Sequence, residues 1–317
     1  MTEREVTRED ADHRFVVRQA RESDVADVVR FTRDTWGDRH GDYLPDVFGE
    51  MVAGDGPAQH TLVIDVDDGD DVAGVLQCVM LSDSEAWAQA MRVNPDYRGH
   101  GLSPELSRAA FRWARDNGAV VCRNMVFSWN VAGLGQSRSV GFGPATEFRW
   151  LQPDPDADAD PDLDVVADPD AAWAFWSASD ARDHLRGLAL DAAESWACSE
   201  LTRDDLRAAA DRDGLFVVRD GGTRAMSALA YTYDREDDDG EPVTWGIYHV
   251  AAWADAAALD ALTDAVARDA AARGVDATRI LIPESARWVS DAAATRTAVS
   301  DEPDFVMAAD LTDGSLY

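Results

Sequence analysis

The chain has 317 residues, which is enough for two domains that each bury a hydrophobic core. It contains 47 Asp and 14 Glu against 29 Arg, with no Lys, so that its net charge at pH 7 is −32. That charge argues against binding to the phosphate backbone of a nucleic acid, and we expect no nucleic-acid partner.

The same composition indicates the solvent and the compartment. Excess Asp without Lys suits concentrated salt, where the Debye length falls to about 3 Å at 1 M and surface carboxylates are screened from one another. An acidic protein with a basic partner is the alternative. Three separated cysteines, Cys78, Cys122 and Cys198, show no metal-ligand spacing and predict buried thiols with no bound metal. Without an apolar run of 18 residues or a signal-peptide core in residues 1–13, we expect a cytoplasmic protein with no membrane contact.

Strand-like and helix-like segments alternate in the first half of the chain. After a charged tail over residues 1–13, residues 15–19 predict a strand, and Ser23 predicts the start of a helix that ends at Gly37. The further elements are strands over residues 60–66, 71–81 and 85–93, a helix with an apolar face from Leu106 to Ala114, a strand over 119–127, a short helix over 131–140 and a strand over 141–151.

Alternating Pro and Asp over residues 153–162 predict an extended linker between a first domain, residues 14–152, and a second domain, residues 163–317. The second part begins with a helical region over about residues 169–213. Strands, a helix that ends at Gly274 and two further strands follow in an order like that of the first half. This order predicts a second α/β domain that is a degenerate copy of the first, and an unrelated α/β domain is the alternative.

The stretch VNPDYRGHGLSPEL, residues 93–106, leads from a strand into a helix. A helix N-terminus has four backbone N–H groups without intrahelical partners and about half a positive charge, and glycines before it let an anion approach. The turn is formed by Arg98, Gly99, His100, Gly101, Leu102 and Ser103. From these properties alone it is either a phosphate-binding turn or a helix cap.

The stretch resembles the acyl-CoA-binding motif of the GNAT family of N-acetyltransferases, Q/R-x-x-G-x-G/A. Arg98 takes the first position and Gly101 the fourth, while Ser103 stands where the family has Gly or Ala. Residues 130–142, NVAGLGQSRSVGF, resemble the family's N-x-x-A…GF segment. Both motifs occur in the family's order, and the resemblance covers about residues 15–151. It implies the GNAT fold, a splayed mixed β-sheet flanked by helices.

The resemblance also implies acetyl-CoA as the acyl donor. The backbone of Met91, Arg92 and Val93 would bond its pantetheine arm, and Asn130 would contact it from the other side of the splay. The pyrophosphate would be wrapped by Arg98, Gly99, His100, Gly101, Leu102 and Ser103. An amine would then attack the thioester directly.

The resemblance leaves the acid and the base open. Ser137 stands where many members have the Tyr that protonates the leaving thiolate, and Met125 stands where some have a Glu base. We therefore predict Ser137 as the acid, with water as its alternative. We predict Glu85 as the base because strand alternation places it on the face of Met91 and Val93. A solvated carboxylate is the alternative for Glu85, and the weaker candidates are His40, His60 and Glu147.

Residues 37–51, GDRHGDYLPDVFGEM, resemble the G…DYLP…F segment of the histidine N-acetyltransferase-like branch, whose members also carry a second domain. This resemblance implies an acceptor pocket lined by His40 and Tyr43, and a free amino acid or another small amine as the acceptor. Packing between two helices is the alternative for these side chains.

We therefore predict a homodimeric, acetyl-CoA-dependent N-acetyltransferase of a small amine. A protein N-acetyltransferase and a non-catalytic acyl-CoA sensor are the alternatives. In the second half, residues 250–259, VAAWADAAAL, replace the glycine turn, and we expect no cofactor there.

Overall fold

The computed structural model describes residues 6–9, 13–37, 39, 41–67, 69, 71–236 and 241–316. The chain forms two compact units. The first unit comprises residues 1–125, 130–144 and 307–317, and the second comprises residues 126–129 and 145–306. The predicted linker over residues 153–162 lies inside the second unit, where the backbone N–H of Asp156 donates to the carbonyl of Ala267 at 3.0 Å.

The elements of the first half of the chain are β1 (Val6–Glu9), β2 (Arg14–Gln19), α1 (Val25–Thr32), α2 (Leu44–Ala53), β3 (Gln59–Val66), β4 (Asp71–Met80), β5 (Glu85–Val93), α3 (Leu102–Asp116), β6 (Val121–Phe127), α4 (Val131–Ser139) and β7 (Gly143–Gln152). The sheet of the first unit has the order β1-β2-β3-β4-β5-β6, followed by the end of β16 (Asp304–Asp310). From β1 to β5 neighbouring strands are antiparallel, whereas β5 and β6 are parallel. The predicted α/β class with a mixed sheet is confirmed.

Helices cover both faces of this sheet. Val63 and Val75 pack with Val28 of α1 and Phe48 of α2 in one buried cluster. Gly74 lies on the other face, where a Cβ would come within 3.3 Å of the side chain of Leu106 in α3. Because neighbouring residues of a strand point to opposite faces, α3 covers the face opposite α1 and α2.

The helix predicted to run from Ser23 to Gly37 is shorter in the structure. A 3₁₀ turn covers Glu22–Asp24, and α1 ends at Thr32. Asp24, rather than Ser23, organises the start, since its carboxylate accepts the backbone N–H of Arg21 at 2.7 Å. At the other end, the hydroxyl of Thr35 donates to the carbonyl of Thr32 at 2.8 Å, which takes up a carbonyl of the last turn. The strand β1 lies within the segment predicted as a charged tail.

The remaining elements are β8 (Asp164–Val166), α5 (Pro169–Ser177), α6 (Asp180–Leu185), β9 (Leu188–Leu190), β10 (Cys198–Glu200), α7 (Arg203–Ala210), β11 (Leu215–Arg219), β12 (Thr223–Glu236), β13 (Pro242–Trp253), α8 (Ala256–Ala272), β14 (Ala277–Pro283), α9 (Ala286–Ala294), β15 (Ala298–Val299) and β16. The region predicted as helical over residues 169–213 therefore contains the antiparallel pair of β9 and β10. Arg186 in the left-handed conformation, with φ of 55°, ends α6 and turns the chain into β9.

The sheet of the second unit has the order β8-β11-β12-β13-β14-β7, and β15 also pairs with β7. Its centre repeats that of the first unit. In each, an antiparallel strand pair leads into a long helix and then into a strand parallel to the second of the pair: β4, β5, α3 and β6 in one, and β12, β13, α8 and β14 in the other. The structure thus contains the repeated order that the sequence indicates.

Among the described residues, no helix is both long enough and apolar enough to cross a membrane. The three cysteines are buried and reduced.

Candidate functional site

A β-bulge in β5 sets the direction of the peptide groups at the centre of the first unit. Gln77 pairs with Gln89 and Val75 pairs with Arg92, so that β5 has one more residue than β4 between these pairs. Ala90 lies in the bulge with φ of +58°, which is rare for a residue other than glycine. Because one extra residue reverses the alternation of side chains, the predicted sharing of one face by Glu85 with Met91 and Val93 is wrong.

The end of β5 borders an opening in the sheet. The parallel pairing with β6 covers only Glu85–Trp87 and Val121–Arg123. Beyond it, the backbone N–H of Asn94 donates to the carbonyl of Ala73 in β4 at 2.9 Å. The direction of hydrogen bonding alternates from one residue to the next along a strand. The backbone N–H and C=O of Val93 therefore point away from β4, toward the side of β6, where the ladder between β5 and β6 has already ended.

The turn after β5 is fixed by Asn94, which is buried. Its side-chain oxygen accepts the backbone N–H of Asp96 at 3.1 Å, and its Nδ2 donates to the carbonyl of Val72 at 3.1 Å. A 3₁₀ turn, Pro95–Tyr97, follows, and Arg98 is exposed after it. The turn is therefore anchored at its beginning, and its cation faces outward.

The helix α3 begins at Leu102, directly after two glycines with positive φ. Gly99 has φ of +89°, and Gly101, the N-cap, has φ of +67°. A Cβ at Gly99 would meet nothing within 4 Å, so there is room beside the turn. The first turn of α3 has no side-chain cap. These properties suit an approaching phosphate.

The corresponding helix of the second unit, α8, begins differently. Asp255 is its N-cap, and its Oδ1 accepts the backbone N–H of Ala258 at 3.0 Å. The side chain also forms an ion pair with Arg224. A carboxylate thus occupies the position that is left to glycine in α3.

His100 anchors the glycine turn to β2. Its ring lies 5.4 Å from the ring of Phe15, which also contacts Tyr97 edge-on at 6.0 Å. The hydroxyl of Tyr97 donates to Asp71 at 3.1 Å. Partial burial, and then the hydrogen bond and charge of Asp71, raise the pKa of Tyr97 to about 12. Within the predicted cofactor-binding set, the His100 ring therefore packs against protein.

Asn130 is the N-cap of α4. Its Oδ1 accepts the backbone N–H of Gly133 at 2.9 Å. A Cβ at Gly133 would lie 2.5 Å from the Asn130 amide nitrogen, so this cap needs glycine there. The next residue, Val131, is 78% exposed, which is unusual for a large apolar side chain in this chain.

Ser137, the predicted acid, is buried in α4 and accepts a hydrogen bond from Nδ2 of Asn124 in β6 at 3.1 Å. The Oδ1 of Asn124 is also buried and has no hydrogen-bond partner among the described residues. A buried amide oxygen without a donor is costly, so this atom is available to a donor from outside the chain.

Glu85, the predicted base, is buried at the first residue of β5 and forms an ion pair with Arg123 in β6. The hydroxyl of Ser82 donates to its other carboxylate oxygen at 3.2 Å. At about 3.3 Å per residue, Glu85 and Val93 lie roughly 25 Å apart along β5. Glu85 is therefore at the closed end of the strand pair and Val93 at the open end.

Asp42 and Arg92 connect the segment before α2 to the end of β5. The Arg92 guanidinium donates from Nε to Oδ2 of Asp42 at 2.7 Å and from Nη2 to Oδ1 at 3.1 Å. It also lies over the rings of Trp36, at 4.7 Å, and Tyr43, at 5.8 Å. The Arg92 side chain is thus neutralised by the protein, and Tyr43, 46% exposed, is held beside it. His40 lies outside the described residues.

Two of the three weaker candidates for the base, His60 and Glu147, have other partners. The ring of His60 stacks on Trp113 of α3 at 5.5 Å with an interplanar angle of 11°. Glu147 belongs to the second unit, where its Oε1 lies 3.5 Å from Nε2 of His184. The stacked His60 ring therefore does not join the groups at the end of β5.

Several polar residues of this region were not predicted. Asn124 and Gln77 are examples, and each is a polar residue inside an apolar strand, which is a signal visible in the sequence. Gln89 donates to Gln77 at 2.8 Å, and Gln77 donates to the hydroxyl of Thr61 at 3.1 Å. This chain of amides crosses the sheet from β5 to β3 and fixes the Gln89 side chain next to the bulge.

Within the described ranges, no group of three or more His, Cys, Asp or Glu side chains is placed to hold a metal ion.

Comparison with known proteins agrees with this geometry. Residues 25–134 match the model of the acetyltransferase (GNAT) family. A GCN5-related N-acetyltransferase from Sphaerobacter thermophilus aligns with a TM-score of 0.61 and 13% identity, over 94% of this chain and 96% of that chain. A protein from Thermoplasma acidophilum, named as a candidate acetyltransferase, aligns with a TM-score of 0.56 and 17% identity, over 93% of this chain and 99% of that chain. These likenesses show a shared fold. No curated protein matches the sequence.

Proposed function

We propose, starting from the match of residues 25–134 to the model of the acetyltransferase (GNAT) family, that this chain transfers the acetyl group of acetyl-CoA to the amine of a small molecule. The observation that carries the proposal is the glycine turn at the N-terminus of α3, where the N-cap residue has no side chain. The helix begins at the left-handed Gly101, a few residues after a bulged strand whose outer peptide groups face an opening in the sheet.

The donor would bind through the backbone. Acetyl-CoA supplies an activated thioester together with a pyrophosphate. The peptide groups of Met91 and Val93 would bond its pantetheine arm, much as a neighbouring strand would. The N–H groups of the turn from Gly99 to Ser103 would receive the pyrophosphate, with the exposed Arg98 beside it. Backbone N–H groups fixed by the bulge are suited to stabilise the oxyanion of acyl transfer.

The acceptor would bind beside Tyr43. The ion pair of Arg92 with Asp42 fixes the segment before α2 at the end of β5 and keeps Tyr43 exposed next to it. The exposed Tyr43 supports an acceptor pocket for a small amine at this place, and we keep His40 as a second pocket residue.

Proton transfer requires a base for the amine and an acid for the leaving thiolate. An alkylammonium must lose a proton before it attacks, and Glu85 as the base and Ser137 as the acid stay predictions. Both side chains are engaged, Glu85 by Arg123 and Ser137 by Asn124. This observation favours the second candidate function, an acyl-CoA sensor that binds the donor without turnover.

We also propose a cytoplasmic protein adapted to concentrated salt, on the basis of the acidic, Lys-free composition and the buried thiols, whereas the homodimer stays a prediction. Light scattering in buffers of low and molar KCl tests the dimer and the dependence on salt together.

The experiment that tests the function is free-thiol release from acetyl-CoA in molar KCl. Amino acids, polyamines and a basic peptide are compared as acceptors. Gly101→Trp should abolish release, whereas Gly274→Trp, at another left-handed glycine with open space around it, should retain it. Release with one small amine supports the proposal. Release with the peptide alone assigns a protein substrate, and binding of acetyl-CoA without release from any acceptor assigns a sensor.

A further inference from the structure

A chain of hydrogen bonds crosses the sheet of the first unit and ends at Gln89, beside the bulge of β5. Gln89 donates from Nε2 to Oε1 of Gln77 at 2.8 Å, and Gln77 donates from Nε2 to the hydroxyl of Thr61 at 3.1 Å. The hydroxyl of Thr61 donates to Oδ1 of Asp55 at 2.8 Å. Thr61 and Gln77 are buried, whereas Gln89 is partly exposed. The chain therefore links two buried side chains to one that solvent reaches.

The carboxylate of Asp55 fixes the direction of every hydrogen bond in this chain. An ionised carboxylate has only acceptors, so the single O–H of Thr61 must point at it. The Thr61 oxygen can then only accept, which requires the N–H side of the Gln77 amide to face it. As a result Oε1 of Gln77 faces Gln89, and Gln89 must present its own N–H side. The carbonyl oxygen of Gln89, Oε1, is therefore directed away from Gln77.

Gln89 lies on the face of the sheet that carries the proposed acceptor side. Val75 packs with α1 and α2, and Gln77, two residues further along β4, points to the same face. Their partners in β5 are Arg92 and Gln89, so these two side chains share that face as well. Because two residues of a strand span about 7 Å, Gln89 lies about this far along the sheet from Arg92. The guanidinium of Arg92 in turn lies over the ring of Tyr43.

Gln89 also borders the opening between β5 and β6. The ladder of these two strands ends at Trp87, two residues before Gln89. The proposed thioester would enter this opening, so the Gln89 side chain stands between the donor side and the acceptor side. An amine that attacks the thioester carries N–H groups, and a carbonyl oxygen is a hydrogen-bond acceptor for such groups.

We propose that Gln89 makes the site specific for an amine, because its Oε1 accepts an N–H of the incoming acceptor. Asp55, through Thr61 and Gln77, keeps this oxygen directed at the ligand. The inference rests on the proposed function, since it takes the ligand on this face to be the acceptor amine. It adds the side chain that recognises the amine and the distant groups that orient this side chain.

Calorimetric titration of amines into the CoA-bound protein in molar KCl tests the proposal without turnover. The probes are lysine, spermidine and butylamine, and butyltrimethylammonium is the comparison ligand, which has the charge but no N–H. The variants are Gln89→Leu and Gln89→Glu. The control is Gln59→Leu, whose Nε2 donates to the carbonyl of Met51 at the start of β3. We expect Gln89→Leu to weaken amine binding on the order of tenfold and Gln59→Leu to leave it unchanged.

Gln89→Glu separates recognition of the amine from a structural role. A carboxylate cannot donate to Oε1 of Gln77, so both variants lose the same hydrogen bond and should lower the melting temperature to a similar degree. Only the Glu side chain still directs an oxygen at the ligand, so amine binding should be at least as tight as in the parent protein. Equal weakening in both variants would reduce Gln89 to a link between strands and overturn the proposal.

Three further results would overturn it. These are unchanged amine binding in Gln89→Leu, equal binding of butylamine and butyltrimethylammonium to the parent protein, and no binding of any probe to the parent protein. Thiol release is measured separately. If the amines bind as expected but no acceptor releases thiol, the proposed acetyl transfer fails and the role of Gln89 stands. If thiol is released while Gln89→Leu binds amines like the parent protein, the acetyl transfer stands and the role of Gln89 fails.

Discussion

Arg92 and Asp42 form a two-point ion pair across fifty positions of sequence, with Nε to Oδ2 at 2.7 Å and Nη2 to Oδ1 at 3.1 Å. The Asp42 side chain has no exposed surface, and that of Arg92 is 13% exposed. The pair joins the segment that carries Tyr43 to the strand that carries Val93. In the proposed enzyme it therefore joins the acceptor side of the site to the donor side.

Removal of Arg92 should be strongly destabilising. Arg92→Ala leaves the Asp42 carboxylate buried without its cation, and breaking a buried pair in this way costs about 3–5 kcal/mol. Urea unfolding followed by tryptophan fluorescence measures the change. The control is Arg108→Ala. Its pair with Glu105 is more exposed than that of Arg92, with the Arg108 side chain 44% exposed, and should contribute less than about 1 kcal/mol. KM for the acceptor should rise only for the Arg92 variant. Equal losses of unfolding free energy in both variants would contradict the role of the pair.

Gly101→Ala should weaken the binding of acetyl-CoA, an effect that a comparable substitution at Gly274 should not have. The left-handed conformation, with φ of +67°, costs an L-residue about 1–2 kcal/mol. Gly274→Ala has a similar backbone cost, since Gly274 has φ of +71° and open space around it, but it lies after α8. We expect both variants to lose similar unfolding free energy and only Gly101→Ala to raise KM for acetyl-CoA. An equal rise in KM in both would place the pyrophosphate elsewhere.

Some features of the fold and of the candidate site can be predicted from the sequence, and others cannot. The strands could be predicted because their apolar residues alternate with a period of two, and α3 because its apolar residues recur every three to four positions. The glycine turn could be predicted from its motif. The bulge could not, because Ala90 adopts φ of +58° and no local signal marks an alanine for that conformation. The same holds for the pair of Arg92 with Asp42, which depends on how distant segments pack. The short strands β9 and β10 lie in an alanine-rich region whose composition favours helix, and burial overrides that preference.

Glu85→Gln distinguishes a base from an ion-pair partner. Each side chain of the Glu85–Arg123 pair is 11% exposed, so the single variant leaves a buried guanidinium without its counter-charge and should unfold more easily. We expect the double variant Glu85→Gln with Arg123→Gln to recover most of the lost stability and also the rate of thiol release, because the pair lies at the closed end of β5. Recovered stability with a persistently low kcat would identify Glu85 as the base instead.

Ser137→Ala should lower stability by about 1–3 kcal/mol, because it removes the acceptor of Asn124 Nδ2, while the buried Oδ1 of the same amide already has no partner among the described residues. The rate of thiol release decides whether the hydroxyl also acts as the acid. With a thiolate as leaving group, we expect kcat to fall less than about tenfold, since water can supply the proton. The control is Ser139→Ala at the exposed end of α4, whose hydroxyl donates to the carbonyl of Gln136. A loss of kcat far beyond about tenfold in Ser137→Ala, with the fold intact, would establish Ser137 as the acid.

Asp304 makes stability depend on pH in the opposite sense to most carboxylates. Burial raises its pKa to about 6, although the hydrogen bond from Trp150 and the charge of Arg279 act to lower it, and Glu302 raises it further. In the unfolded chain an Asp has a pKa of about 3.9, so between these values the folded protein holds the proton more tightly. Its contribution to stability is therefore complete below pH ~4 and is lost as the pH rises through about 6.

Asp304→Asn should remove this dependence and retain an acceptor for the Trp150 indole N–H. A pKa difference of about two units corresponds to roughly 2–3 kcal/mol, so we expect the variant to be more stable than the parent at pH 7 and similar to it at pH 4. The measurement is urea unfolding from pH 4 to 8, with Asp158→Asn on the exposed segment before β8 as the control. If the stability of the parent rises from pH 4 to pH 6 relative to that of Asp304→Asn, the fold stabilises the charged carboxylate, and the raised pKa of Asp304 would be contradicted.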